Sequence, residues 1–105
     1  MMMVHVIARM EIKPGQMDKM LAVLAKLVPI VNAEEGCIRY EVCRDADVGI
    51  GAPADPLALT IVEAWESKEH LAAHLAQPHM ATFREEAGPL RAGATVTVLS
   101  PVDKN

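Results

Sequence analysis

The side chains most able to do chemistry crowd into one stretch, Leu57 to Phe83. It carries Glu63, His70, His74 and His79 together with the only Trp and the only Phe of the chain, Trp65 and Phe83. Glu63 interrupts an otherwise apolar run, Leu57 to Trp65, and burying a carboxylate there is costly unless it is paired or hydrogen-bonded. Arg9 or Arg39 could pair with it and make it structural; otherwise it is free to handle a proton. His74 sits three residues after Leu71 and next to Leu75, which turns it toward a packed face. An imidazole with an ordinary pKa of about 6.5 gives or takes a proton at neutral pH. The plainer alternative is a core-edge histidine satisfied by one hydrogen bond. His70 and His74 share a helix face at i, i+4, a spacing that metals use, but a pair is half a site, so no metal is assigned. Trp65, Tyr40 and Phe83 are the only aromatics. They either wall one flat-sided pocket or form the largest pieces of core.

Composition narrows the classes. A chain of 105 residues buries one core, so residues 1–105 read as one domain. The net charge is −4 and no Lys/Arg cluster occurs, which leaves no electrostatic footprint for nucleic acid. No apolar run approaches the roughly 18 residues of a membrane span, and Met1 to Ile7 lacks the parts of a signal peptide. The expectation is a soluble, cytoplasmic protein with no membrane partner. Cys37 and Cys43 fall on one predicted strand, too far apart to bridge. Phosphate loops, His-Glu-x-x-His, Cys-x-x-Cys and Gly-x-Ser-x-Gly are absent from the sequence, which removes the function classes those motifs carry.

The periodicity supplies the frame for these residues. Val4 to Ile12 alternates as a strand, and Lys13-Pro14-Gly15 stops it. Met17, Met20, Leu21, Leu24, Leu27, Val28 and Val31 recur at helical spacing; Pro29 is expected to kink or end the regular hydrogen bonding about its own position, and the helix to end near Asn32 to Glu34. Cys37 to Arg44 alternates again, placing Ile38, Tyr40 and Val42 on one face. Residues 45–56, rich in Gly, Pro and Asp, read as a mobile connector or a flap over a pocket. The strand Leu57 to Trp65 is apolar on both faces and should be central. Ser67 caps a helix from Lys68; Pro78 breaks it; a further helical piece runs from His79 to Ala87. Thr95 to Leu99 is the last strand, followed by a polar tail, Ser100 to Asn105. This β-α-β-β-α-(α)-β order predicts an α+β, ferredoxin-like βαββαβ antiparallel sheet with the first and third strands central. Its helices cover one face only, so a second subunit is expected over the other.

Several short motifs in this order resemble the antibiotic biosynthesis monooxygenase family, and within it the small quinol monooxygenases. They are Lys13-Pro14-Gly15, Glu34-Glu35-Gly36-Cys37-Ile38-Arg39-Tyr40, Glu63-Ala64-Trp65-Glu66-Ser67, and Ala73-His74-Leu75 followed by Pro78-His79 and Phe83. The resemblance implies a homodimeric α/β barrel with a pocket between sheet and helices in each subunit. It implies oxidation of a quinol or anthrone-like substrate with O₂ as co-substrate and no metal, flavin or haem. His74 is then the general base, Glu63 orients it or the substrate, and Trp65, Tyr40, Phe83 and His79 bind the substrate. Ile61 and Leu71 stand where polyketide-tailoring members place an Asn and a Tyr. Haem degradation is disfavoured, because Ala8 replaces the strand-one Asn of haem-degrading relatives and Arg84 stands near the expected axial His. Two other functions fit the same shape, a cofactor-free isomerase of a small sugar-derived, phosphorylated or plain carbonyl compound and a non-catalytic ligand-binding dimer.

Overall fold

The computed structural model describes residues 2–102; Met1 and the end of the polar tail, 103–105, lie outside it. Strands β1 (Val4–Ile12), β2 (Cys37–Arg44), β3 (Ala58–Trp65) and β4 (Arg91–Leu99) form one sheet in the order β2-β3-β1-β4. Every neighbouring pair is antiparallel. Helices α1 (Met17–Asn32), α2 (Lys68–Leu75) and α3 (Pro78–Ala87) complete the ferredoxin-like α+β order, with a 3-10 turn at Gly88–Leu90 leading into β4. β1 and β3 are central, as the two-sided apolar pattern of β3 requires.

The registers decide which side chains share the helix-covered face. Val6 pairs with Glu63 and with Val98, Ala8 with Ile61 and Val96, and Met10 with Leu59 and Ala94. Tyr40 pairs with Glu63 and Val42 with Ile61. Met20, Leu24, Leu27 and Val31 of α1 are buried against this face, as their i, i+4, i+7 spacing demands. Burying an aliphatic side chain of this size contributes about 1.5–3 kcal/mol. Pro29 lies inside α1, one residue from the exposed Ile30, and the helix runs on past it to Asn32. Tertiary packing of the stripe outweighs the one backbone bond that proline removes.

Two local features depart from simple alternation. The β2–β3 register shifts between Cys37 and Arg39, leaving Ile38 as an extra residue on β2. This bulge reverses the parity of the strand's start. Ile38 is therefore exposed at 52%, and Cys37 packs against the core in its place. Both cysteines are free. β4 begins at Arg91, earlier than Thr95, because the small residues Ala92, Gly93 and Ala94 carry no strand signal of their own and are held by β1. The connector 45–56 is pinned at both ends: Asp45 accepts from the Arg9 guanidinium at 2.8 and 2.9 Å and from the Asp55 backbone N–H at 2.9 Å.

Gly36 lies at φ +82°, and a Cβ there would collide with the His70 ring. The turn from α1 into β2 thus accepts only glycine, and the same turn carries Glu34. Gly36→Ala is expected to destabilise the fold by about 1–2 kcal/mol from the backbone alone, with a further loss from the collision, read as a lower urea midpoint at unchanged slope.

Candidate functional site

An apolar cavity of about 180 Å³ opens between the sheet and helices α2 and α3, on the side of β4. The sheet supplies its floor through Val6, Ala8, Met10, Ile61 and Tyr40; α2 and α3 supply Leu71, Met80 and Phe83. Two buried ionisable groups of opposite type face into it, Glu63 from β3 and His74 from α2. Arg84 and Arg91 stand at its mouth with the exposed Val96 and Val98 of the edge strand, and the Arg91 guanidinium lies 5.8 Å from the centre of the Phe83 ring.

His74 is 1% exposed and held on three sides. The Ser67 hydroxyl starts α2 by accepting the His70 backbone N–H at 3.1 Å, a standard N-cap, and one turn later the helix delivers His74 inward. Its ring lies 4.5 Å from Trp65, tilted by 30°, and 5.7 Å edge-on from Tyr40. Its Nδ1 is 2.9 Å from Glu34 Oε2. A carboxylate accepts, so Nδ1 carries the proton and Nε2 remains as the basic nitrogen of the ring. Burial pushes the His74 pKa down, while Glu34 pulls the other way.

Glu63 has no arginine partner. Arg9 is engaged by Asp45 and Arg39 by Glu41, whereas Glu63 Oε1 accepts the Trp65 indole N–H at 3.0 Å. One neutral donor does not offset desolvation, and burial raises the Glu63 pKa to about 7, with the Trp65 bond lowering it and Glu34 raising it. The cavity therefore holds a carboxyl that titrates near neutrality, the kind of group suited to acid–base work.

The residues singled out in the sequence divide into three groups. Glu63, His74, Tyr40 and Phe83 line the cavity together. Trp65, fully buried, does not line it; it holds Glu63 and stacks on His74 from behind. His79 is also outside. It lines a groove between α1 and α3 with Lys26, Ile30 and Glu86, and its Nε2 lies 2.8 Å from the same Glu34 Oε2. The residue that orients His74 is thus Glu34 and not Glu63. Its sequence signal was a carboxylate just ahead of the obligatory Gly36. The 45–56 connector contributes no residue to this cavity; its ends line a separate depression with Arg44 and Ala58.

Glu34, His74 and His79 are also the one group among the described residues whose metal-ligand atoms lie within 4.8 Å of one another. Both nitrogens sit at hydrogen-bond distance from one oxygen, Glu34 Oε2. His70, the other half of the i, i+4 pair, turns away to Ser67 and Glu35.

The family model described as antibiotic biosynthesis monooxygenase matches residues 3–86. The chain is 40% identical over 86 residues to the Escherichia coli K12 protein named "Probable quinol monooxygenase YgiN", covering 79% of this chain and 83% of that one. It is 31% identical over 102 residues to Rv0793 of Mycobacterium tuberculosis, covering 96% of this chain and 93% of that one. The solved structure of Rv0793 superposes with a TM-score of 0.83 over 97% of both chains. A monooxygenase-family structure from Nitrosomonas europaea, 19% identical, shares the fold with a TM-score of 0.84 over 95% of this chain and 90% of that one.

Because Glu63 binds its proton more tightly folded than unfolded, its ionisation opposes folding. Stability is expected to fall as pH rises from about 4.5 to about 7 and then to level, by an amount on the order of 3 kcal/mol for this group. Urea unfolding across that range should show the slope in the parent and lose it in Glu63→Gln.

Proposed function

Because the chain belongs to the antibiotic biosynthesis monooxygenase family, we propose that it is a cofactor-independent monooxygenase oxidising a small quinol or anthrone-like aromatic compound with O₂. The observation that carries this reading is an apolar cavity with a buried base and a near-neutral acid on its wall. An apolar cavity of about 150 Å³ accepts benzene, so about 180 Å³ suits a small ring system that extends through the open mouth.

His74, neutral at pH 7 because burial lowers its pKa, takes a proton from the phenol or activated carbon at Nε2. The resulting anion is electron-rich and passes an electron to O₂; recombination forms a carbon–oxygen bond and a hydroperoxide. Loss of water then leaves a carbonyl. For an activated CH₂ the carbon loses four electrons, O₂ gains four, and one oxygen atom ends in the product and the other in water. Glu63, exchanging its proton near pH 7, hydrogen-bonds a substrate oxygen and can return a proton to the departing hydroxide. The substrate anion is its own reductant, so the scheme uses no metal, flavin or haem. Haem chemistry is further disfavoured by Ala8 on the cavity floor and Arg84 at its mouth. A sugar-derived substrate would leave its hydroxyls against Val6, Ile61 and Met80, which favours the aromatic reading over isomerisation.

We also read the protein as a homodimer. The sheet face away from the helices carries Ile7, Val62 and Ala64 among polar neighbours, and no helix or strand among the described residues covers it. Sedimentation equilibrium at micromolar concentration should return twice 11.4 kDa; a mass of one chain would overturn the dimer.

Oxygen uptake with a panel of reduced benzo- and naphthoquinones and anthrones tests the activity. Uptake is expected with at least one of them, falling about 10²–10⁴-fold in His74→Gln. Turnover that persists without oxygen would instead identify the isomerase.

A further inference from the structure

The proposed base is buried, and a proton taken there adds a charge that burial opposes. One carboxylate oxygen, Glu34 Oε2, accepts from two imidazoles, His74 Nδ1 at 2.9 Å and His79 Nε2 at 2.8 Å. The two rings differ in access. His74 is sealed, with a side chain 1% exposed, and faces the cavity; His79 is 23% exposed and faces the outer groove between α1 and α3. Glu34 itself is 11% exposed, so little water competes for the charge between them. A single carboxylate neutralises one imidazolium and not two.

We propose that Glu34 couples His79 to His74 as a proton-release pair, so that uptake of a proton at His74 in the cavity expels one from His79 at the surface. The proposed exchange runs between a state with His74 neutral and both ring protons on His79 and the state with these reversed. The substrate proton binds His74 Nε2, and His79 loses its Nδ1 proton to solvent. The cluster begins and ends with the same charge, and both hydrogen bonds to Glu34 persist in both states, so no proton has to cross the carboxylate. Charge on His79 also opposes protonation of His74, which is the coupling the exchange needs. His79 acts through Glu34, as a positioning residue that need not touch the substrate.

The groups around the cluster set its limits. Cys37 and Tyr40 of β2 and Glu63 of β3 feel the Glu34 charge. Arg84 of α3 disfavours protonation of His74. Glu35 beside the turn, with Glu69 and His70 of α2, borders the outer side of Glu34, and Lys26 and Glu86 flank His79. Glu63 and Arg84 bear on the cavity side.

This inference rests on His74 being the base, and two measurements separate its failure from failure of that reading. The first needs no activity. In ¹⁵N-histidine-labelled protein, long-range ¹H–¹⁵N spectra across pH should show His74 as the Nδ1–H tautomer. Its signals should shift in two steps, the step shared with His79 vanishing in His79→Ala. A His74 titration with one step, or one unchanged in His79→Ala, overturns the coupling even if no quinol is oxidised. The second uses whichever quinol turns over. In weak buffer His79→Ala should lower kcat about tenfold or more with KM unchanged, and added imidazole should restore it. Unchanged kcat, or a loss that imidazole does not repair, overturns the proton-release role while leaving His74 as the base.

Discussion

One oxygen atom, Glu34 Oε2, ties together three parts of the chain that the backbone keeps apart. Glu34 follows α1, His74 ends α2 and His79 begins α3, and the two nitrogens converge on it at 2.9 and 2.8 Å. α2 and α3 form the cavity's roof, so this shared acceptor sets where the roof sits over the sheet. It also fixes the His74 tautomer. Without it the ring would be held by Trp65 and Tyr40 through shape alone, and either nitrogen could face the cavity.

The site is built by withholding partners as much as by supplying them. Arg9 and Arg39 are paired with Asp45 and Glu41, and both stand on the sheet face opposite Glu63. Glu63 is left with one indole N–H, enough to aim it and too little to hold it ionised. His74 receives a carboxylate and Glu63 does not, yet burial still pushes the His74 pKa down and raises that of Glu63 to about 7. Two environments thus assign different proton affinities to a group on the floor and a group under the roof of one cavity.

Much of this frame was legible in the residues. The alternation of Val4–Ile12, the stripe from Met17 to Val31, the Ser67 cap and the Pro78 break each gave an element at its observed place, because local pattern and tertiary packing agree there. The misses occur where they diverge. Ala92 to Ala94 joins β4 only because β1 offers a ladder, and Ile38 turns outward only because the register shifts between Cys37 and Arg39. At the site, Glu63 and His74 announced themselves as polar residues in apolar surroundings. Glu34 did not, since a carboxylate in a turn is ordinary until the two histidines that find it are placed. Trp65 was legible as large and central, but an aromatic that lines a pocket and one that braces its wall have the same sequence.

The bulge at Ile38 has a chemical side. By reversing the strand's parity it turns Cys37 inward, where its Sγ lies 3.8 Å from Asn32 Oδ1. Burial, with the nearby Glu34 and Glu63 charges, pushes the thiol's pKa up. Peroxides attack the thiolate and hardly touch the thiol. A single inserted residue therefore sets a thiol with less thiolate, and so less reactivity toward peroxide, within reach of the Glu34 charge.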